Sequence, residues 1–182
     1  GDYAGLLDQG LSQIGWDDLQ ATLAERRANG ELVGAGISMF FEKSGLGPSD
    51  GAKIFVDGTG HIEIVTGGAS LGQGFETAMA QICAEDLGTD YRRIRVIHGQ
   101  TNRIDYGVGA HASRATVLTG TAVSLTAQAV REKALDMAAE LLQTKAEGLD
   151  ITDGVIHSKN NPGGPSLTLG EVAEALAPTS KV

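Results

Sequence analysis

Residues 67–88, GGASLGQGFETAMAQICAEDLG, set Gly67, Gly68, Gly72 and Gly74 around one Gln73, between a strand-like run and a helical pattern. A strand, a glycine turn and a helix N-terminus together present unpaired N–H groups and a positive dipole end, which is the physics of an anion site. Gly67 and Gly72 have the spacing of the G-x-x-x-x-G-K-[ST] phosphate loop, but Gln73 and Gly74 stand where its lysine and hydroxyl belong. The G-x-G-x-x-G dinucleotide spacing is broken as well. Two readings of the residues stay open: an anionic-cofactor site with Gln73 as an uncharged bidentate amide, or a tight strand-to-helix turn.

A second stretch, YGVGAHASRA at 106–115, precedes a long helical pattern, with Ser113 placed as an N-cap and Arg114 directly behind it. Two helix N-termini, one carrying Gln73 and one carrying Ser113 and Arg114, are candidates to converge on one ligand. His111 in the same stretch reads as a turn residue or as a ligand or substrate contact. Glu76 and Thr77 read as first-turn dipole partners or as cofactor-side groups. His61 and His98 read as structural or exposed, Cys83 as buried packing, and Lys43, Glu85 and Asp86 as solvated charge. No three of these residues form a metal-ligand cluster, so no side-chain metal site is expected.

The elements that must position these residues follow from periodicity. Apolar residues at helical spacing predict helices within 5–29, closed by Asn29-Gly30. LVGAGISMFFEKSG (32–45) predicts a strand with small residues on one face. AKIFVDGTGHIEIVTG (52–67) predicts a hairpin around Asp57-Gly58, in one antiparallel sheet with that strand. The glycine loop leads into a helix over 73–87 with Phe75, Met79, Ile82 and Cys83 on one face, stopped by Gly88. RRIRVIHG (92–99) predicts a fourth strand beside the sheet, and 99–115 a long loop that is functional or mobile. An Ala-rich helix is expected from about 115 to 147, packed on the first helix or the sheet, then a hairpin at Asp153-Gly154. NNPGGPS (160–166) reads as a loop, and LTLGEVAEALAPTS as a short helix capped by Thr168 with Glu171. The order predicts an α+β fold, an antiparallel or mixed sheet of about four strands packed against helices, in a single domain spanning 1–182.

Fourteen Lys+Arg against 23 Asp+Glu give a formal charge of −9, which disfavours nucleic acid and anionic membranes as partners. One cysteine excludes an intramolecular disulfide framework and any multi-cysteine cluster built by this chain alone. No signal peptide or membrane span is read, so a cytoplasmic location is expected. Glycine, 26 of 182 residues, is about twice its usual share, and its clustering between periodic segments points to tight turns and close backbone approach.

Taken in order, GGASLGQGFETAMAQICAEDLG, IRVIHGQT, YGVGAHASR and GTAVSLTAQAVREKALDMAAELL are similar to the molybdopterin-binding large subunit of the molybdenum hydroxylases. That family includes xanthine dehydrogenase, aldehyde oxidoreductase and aerobic carbon monoxide dehydrogenase. GAGISMFFEKSGLGP and LDITDGVIHS…SLTLGEVAEAL extend the resemblance over nearly the whole chain. It implies that the chain is one segment of a longer molybdenum-binding region, with Gly72, Gln73 and Gly74 packed on the pterin cofactor and Ala112, Ser113 and Arg114 lying on the same cofactor. It further implies hydroxylation of a small substrate (purine, aldehyde, N-heterocycle or carbon monoxide) by water-derived oxygen at molybdenum. Electrons would leave through iron–sulfur clusters and FAD on partner subunits or domains. The family commonly has Gly-Asp-Thr where this chain has Gly99-Gln100-Thr101, and Gly-Thr where it has Gly109-Ala110, so contacts near 100–111 are the least secured. The family's general-base glutamate belongs to a later glycine-rich segment; no residue before Val182 takes that role, and the segment alone is expected to be inert. The competing expectation is a non-catalytic assembly module, or an anion- or nucleotide-binding module, using the glycine loop at a helix N-terminus.

Overall fold

The computed structural model describes residues 1–177. The chain divides into two compact units, Gly1–Glu42 and Lys43 onward. The first unit holds α1 (Tyr3–Gln13) and α2 (Trp16–Ala28), with Asp2 capping α1 through the Gly5 amide and Asp17 and Asp18 in the first turn of α2. The strand expected over 32–45 does not form: the residues after Gly30 carry no regular structure up to the turn at 44–45, and Phe40 and Phe41 are exposed. Alternating side chains are not sufficient for a strand, because its N–H and C=O groups need a neighbouring strand to pair with.

The second unit is built on two three-stranded sheets. In the first, β1 (Ala52–Val56) and β2 (Ile62–Thr66) form the expected antiparallel hairpin, with Ile54 opposite Ile64. Asp57 Oδ1 organises its turn by accepting from the Thr59 and His61 amides. Chain then passes through the glycine loop and α3 (Phe75–Leu87) into β3 (Ile94–Ile97), which lies parallel to β2. A helical crossover is what a parallel return requires, so the sheet is mixed.

Buried Phe75, Met79, Cys83 and Leu87 recur every fourth residue along α3 and form the stripe that faces the core, with Ile82 half-buried beside them. Against it packs α4 (Thr121–Leu141), preceded by a π-helical turn over Ala115–Gly120. The buried face of α4 is Val123, Ala127, Ala134, Ala138 and Ala139, small side chains that let it lie close to α3 and β1. Gly88 ends α3 in the left-handed conformation (φ 83°), as the sequence indicated.

The second sheet has the order β4-β5-β6: β4 (Leu149–Thr152), β5 (Val155–Ser158) and β6 (Asn161–Thr168). Asp153 and Gly154 both have positive φ (50° and 77°), the backbone of a type I′ turn, in the hairpin expected there. The loop expected at 160–166 is instead strand. β6 is an edge strand, where Pro162 and Pro165 can omit N–H donors without breaking an inner ladder. The last helix, α5 (Leu169–Leu176), carries the anticipated capping box between Thr168 and Glu171. Residues 178–180 of the stretch read as that helix lie outside the described residues.

Candidate functional site

Both stretches singled out in the sequence lie in the second unit, and the fold brings them together. Strand β2 ends at buried Thr66, whose hydroxyl donates to Gly51 O and accepts from the Gly68 amide, so the chain leaves the sheet in a fixed direction. Gly67 then meets the 106–109 segment backbone to backbone. A Cβ at Gly67 would stand 2.3 Å from Tyr106 O and 2.4 Å from Gly107 Cα, and the Gly109 amide donates to Gly67 O at 3.2 Å. Gly68 is equally constrained, since a Cβ there would lie 2.4 Å from the ring of Phe75.

Beyond this contact the loop opens. Gly72 (φ 88°) and Gly74 (φ 78°) adopt left-handed conformations, and a Cβ at either would meet nothing within 4 Å. Gly74 caps α3 without any side-chain hydrogen bond to the helix end. The exposed Gln73 side chain closes its own loop: Oε1 accepts from the Leu71 amide and Nε2 donates to Ala69 O at 3.1 Å. A carboxamide has two acceptor and two donor positions, so Gln73 keeps one of each for a ligand.

Glu76, in the first turn of α3, accepts from Ser70 Oγ at 2.9 Å and lies 2.9 Å from His98 Nε2 at the end of β3. Hydrogen bonds from its own amide, His98 and Ser70 hold its carboxyl below the usual glutamate range. The ring of His98 also stands edge-on to Phe75 at 5.7 Å. Glu76 and His98 thus brace the loop against the sheet; sequence spacing gave no sign of this pair.

The loop over 99–115 is stapled to the sheet. Arg103 pairs with Glu63 on β2, while Lys53 on β1 donates to Arg103 O at 3.1 Å and pairs with Asp105 at 3.2 Å. At its far end the expected cap is absent. Ser113 takes a left-handed backbone (φ 49°), as does Ala112 (φ 47°), and no side chain caps the following helical turn. Left-handed non-glycine residues are costly and cluster at ligand sites. Ser113 and His111 are exposed, and Ala112 is half-buried with its carbonyl accepting from the Gly45 amide at 3.0 Å.

Arg114, expected directly behind the Ser113 cap and on the cofactor with Ala112 and Ser113, turns its side chain inward. It is fully buried, and its guanidinium donates to Leu46 O, Ser49 O, Gly109 O and Asp50 Oδ2 at 2.7–3.1 Å. Its charge is spent inside the protein, so the segment offers outward the backbone of Ala112 and Ser113 and the Ser113 hydroxyl. Asp50 and Thr119, its buried companions, were not found by motif reasoning, since nothing in spacing connects position 50 with 114.

Burial pushes the Cys83 thiol up to about 12, with Asp86 adding to the shift, in keeping with a packing role. Among the described residues no group of three His, Cys, Asp or Glu is placed to hold a metal ion, and no helix is long and apolar enough to cross a membrane.

A family model for a molybdopterin cofactor-binding domain matches residues 9–181. The gamma subunit of the 6-hydroxypseudooxynicotine dehydrogenase complex of Paenarthrobacter nicotinovorans is 35% identical over 178 residues, covering 98% of this chain and 22% of its own. The carbon monoxide dehydrogenase large chain of Hydrogenophaga pseudoflava is 34% identical over 164 residues, 82% of this chain and 20% of its own. Among solved structures, quinoline 2-oxidoreductase from Pseudomonas putida 86 superposes with a TM-score of 0.67 at 32% identity, covering 96% of this chain and 24% of that one. The chain therefore spans about a fifth to a quarter of the length of these relatives. It belongs to the molybdopterin cofactor-binding domain family of the molybdenum hydroxylase large subunits, as a partial segment of such a subunit.

Proposed function

We propose that this segment forms one wall of the pterin site in a molybdenum hydroxylase large subunit. The pterin rests against Gly72, Gln73 and Gly74 on one side and Ala112, Ser113 and the Arg114 backbone on the other. The observation that carries this reading is the seam at Gly67 and Gly107, which locks two loops distant in sequence into one surface. The residues fit the group: open space stands over both left-handed glycines, and the α3 N-terminus has no side-chain cap to compete with a ligand. A metal carried by its own pterin asks no side-chain ligand cluster of this chain.

When bound, the cofactor supplies two-electron oxidation of a carbon centre with oxygen derived from water. This chain's residues bind and orient. Gln73 offers its spare amide donor and acceptor, the α3 N-terminus offers its first N–H groups and positive dipole end, and Ser113 offers a hydroxyl. A general base and the substrate pocket are assigned to other segments of the subunit, and iron–sulfur and flavin carriers to its partners. The substrate class is a small purine, aldehyde, N-heterocycle or carbon monoxide.

The test is pterin content per folded subunit in the assembled enzyme, read from the fluorescence of the released, oxidised pterin. Gln73→Ala and Gly74→Leu are expected to deplete it. Wild-type content in both variants refutes the reading.

A further inference from the structure

We infer that Asp50 is a positioning residue for the cofactor wall, holding both loops in register through one buried carboxylate; this rests on the pterin reading above. The Asp50 side chain is entirely buried, and each oxygen is committed. Oδ1 accepts from the Gly51 amide at 2.9 Å, while Oδ2 accepts from Arg114 Nη1 at 3.1 Å and from the Thr119 hydroxyl.

The same carboxylate faces Gly67: a Cβ there would lie 2.9 Å from Oδ1. Asp50 therefore touches the start of the glycine loop, the residue that closes the Ala112–Ser113 turn, and the π-helical turn that follows it. Arg114 extends the tie by donating to Gly109 O at 3.0 Å, and Gly109 in turn donates to Gly67 O at 3.2 Å. The closed circuit Asp50–Arg114–Gly109–Gly67 fixes the spacing between the two walls.

A buried ion pair is a poor source of stability compared with apolar packing, because desolvation offsets the Coulomb gain. Its directional hydrogen bonds instead specify geometry, and here geometry is under load. Ala112 and Ser113 sit in left-handed backbone (φ 47° and 49°) immediately before Arg114, a conformation that surrounding contacts must enforce. The Arg114 anchor and the Gly45 amide on Ala112 O are those contacts.

The experiment compares Asp50→Asn, Thr119→Val and Ile156→Ala in the assembled enzyme. Asparagine is nearly isosteric but leaves the guanidinium without its counter-charge; Thr119→Val removes one bond to the carboxylate and leaves the ion pair. Ile156, fully buried and on the second sheet rather than on either loop, controls for general destabilisation. Asp50→Asn is expected to lower pterin content per folded subunit on the order of tenfold, by analogy with the low end of the loss when an outer-shell partner of a metal ligand is removed. Thr119→Val is expected to lower it by a smaller factor, and Ile156→Ala to leave it unchanged. Hydrogen exchange of the cofactor-free enzyme should quicken at 109 and 112–114 in the first two variants only. Wild-type pterin content in Asp50→Asn, alongside depletion in Gln73→Ala, overturns the positioning role and leaves the cradle standing; wild-type content in all of them overturns both. If Asp50→Asn does not fold, Thr119→Val decides: wild-type content there overturns the role.

Discussion

Replacing Gly67 with alanine tests the seam between the two loops at a single methyl group. The added Cβ would stand 2.3 Å from Tyr106 O, 2.4 Å from Gly107 Cα and 2.9 Å from Asp50 Oδ1. Two of these are backbone atoms without freedom to rotate away, so the 106–107 segment must retreat by roughly 1 Å to reach ordinary contact distance. Such a retreat takes the Gly109 N–Gly67 O bond, already 3.2 Å, out of hydrogen-bonding range. Overpacking of this kind costs about 1–3 kcal/mol and the lost bond about 1 kcal/mol. Together, about 2–4 kcal/mol corresponds to a fall of about 4–16 °C in the unfolding midpoint for a chain of this size. The assay is thermal unfolding beside Gly163→Ala, where an added Cβ meets nothing within 4 Å, a control expected to stay within about 0.5 kcal/mol of wild type. An unchanged midpoint for Gly67→Ala would refute the close approach.

The remaining predictions concern caps, burial and charge. Thr168→Ala removes the capping box that starts α5 and should lower stability by about 0.5–2 kcal/mol in a denaturant titration. Cys83, buried and with its thiol pushed up to about 12, should resist thiol reagents at pH 8 in the folded protein and react at the ordinary rate once unfolded; labelling at equal rates would contradict its burial. Asp90, held down to about 2 by the Arg92 side chain and amide, stabilises the folded state fully above the unfolded carboxyl value. That contribution is lost as pH falls through about 2. A carboxyl NMR titration should place its midpoint there, and Arg92→Ala should return it toward the ordinary aspartate value of 3.8.

How far the sequence could be read depends on the range of the physics involved. Local signals held: Asp153-Gly154 forms its hairpin, Gly88 stops α3, and Thr168 with Glu171 caps α5, since each is decided within a few residues. The strand expected at 32–45 failed because strand formation is decided by a partner edge, which periodicity does not report. Strand β6 was missed for the converse reason: two prolines and two glycines argue for a loop, yet an edge position tolerates them. At the site, the glycine loop and the 106–115 stretch were visible as separate motifs. Their seam was not, because it is made of two glycines with no side chains to announce it. Arg114 shows the limit most plainly. A cation behind a helix start looks like a ligand contact until Asp50, sixty-four residues earlier, is found against it.

The most direct measurement is hydrogen exchange of the assembled enzyme with and without its molybdopterin cofactor. Within this segment, cofactor binding should add protection at residues 69–76 and 109–115 and leave the second sheet, β4 to β6, unchanged. Protection confined to other parts of the segment, with both loops exchanging alike in the two states, would contradict it.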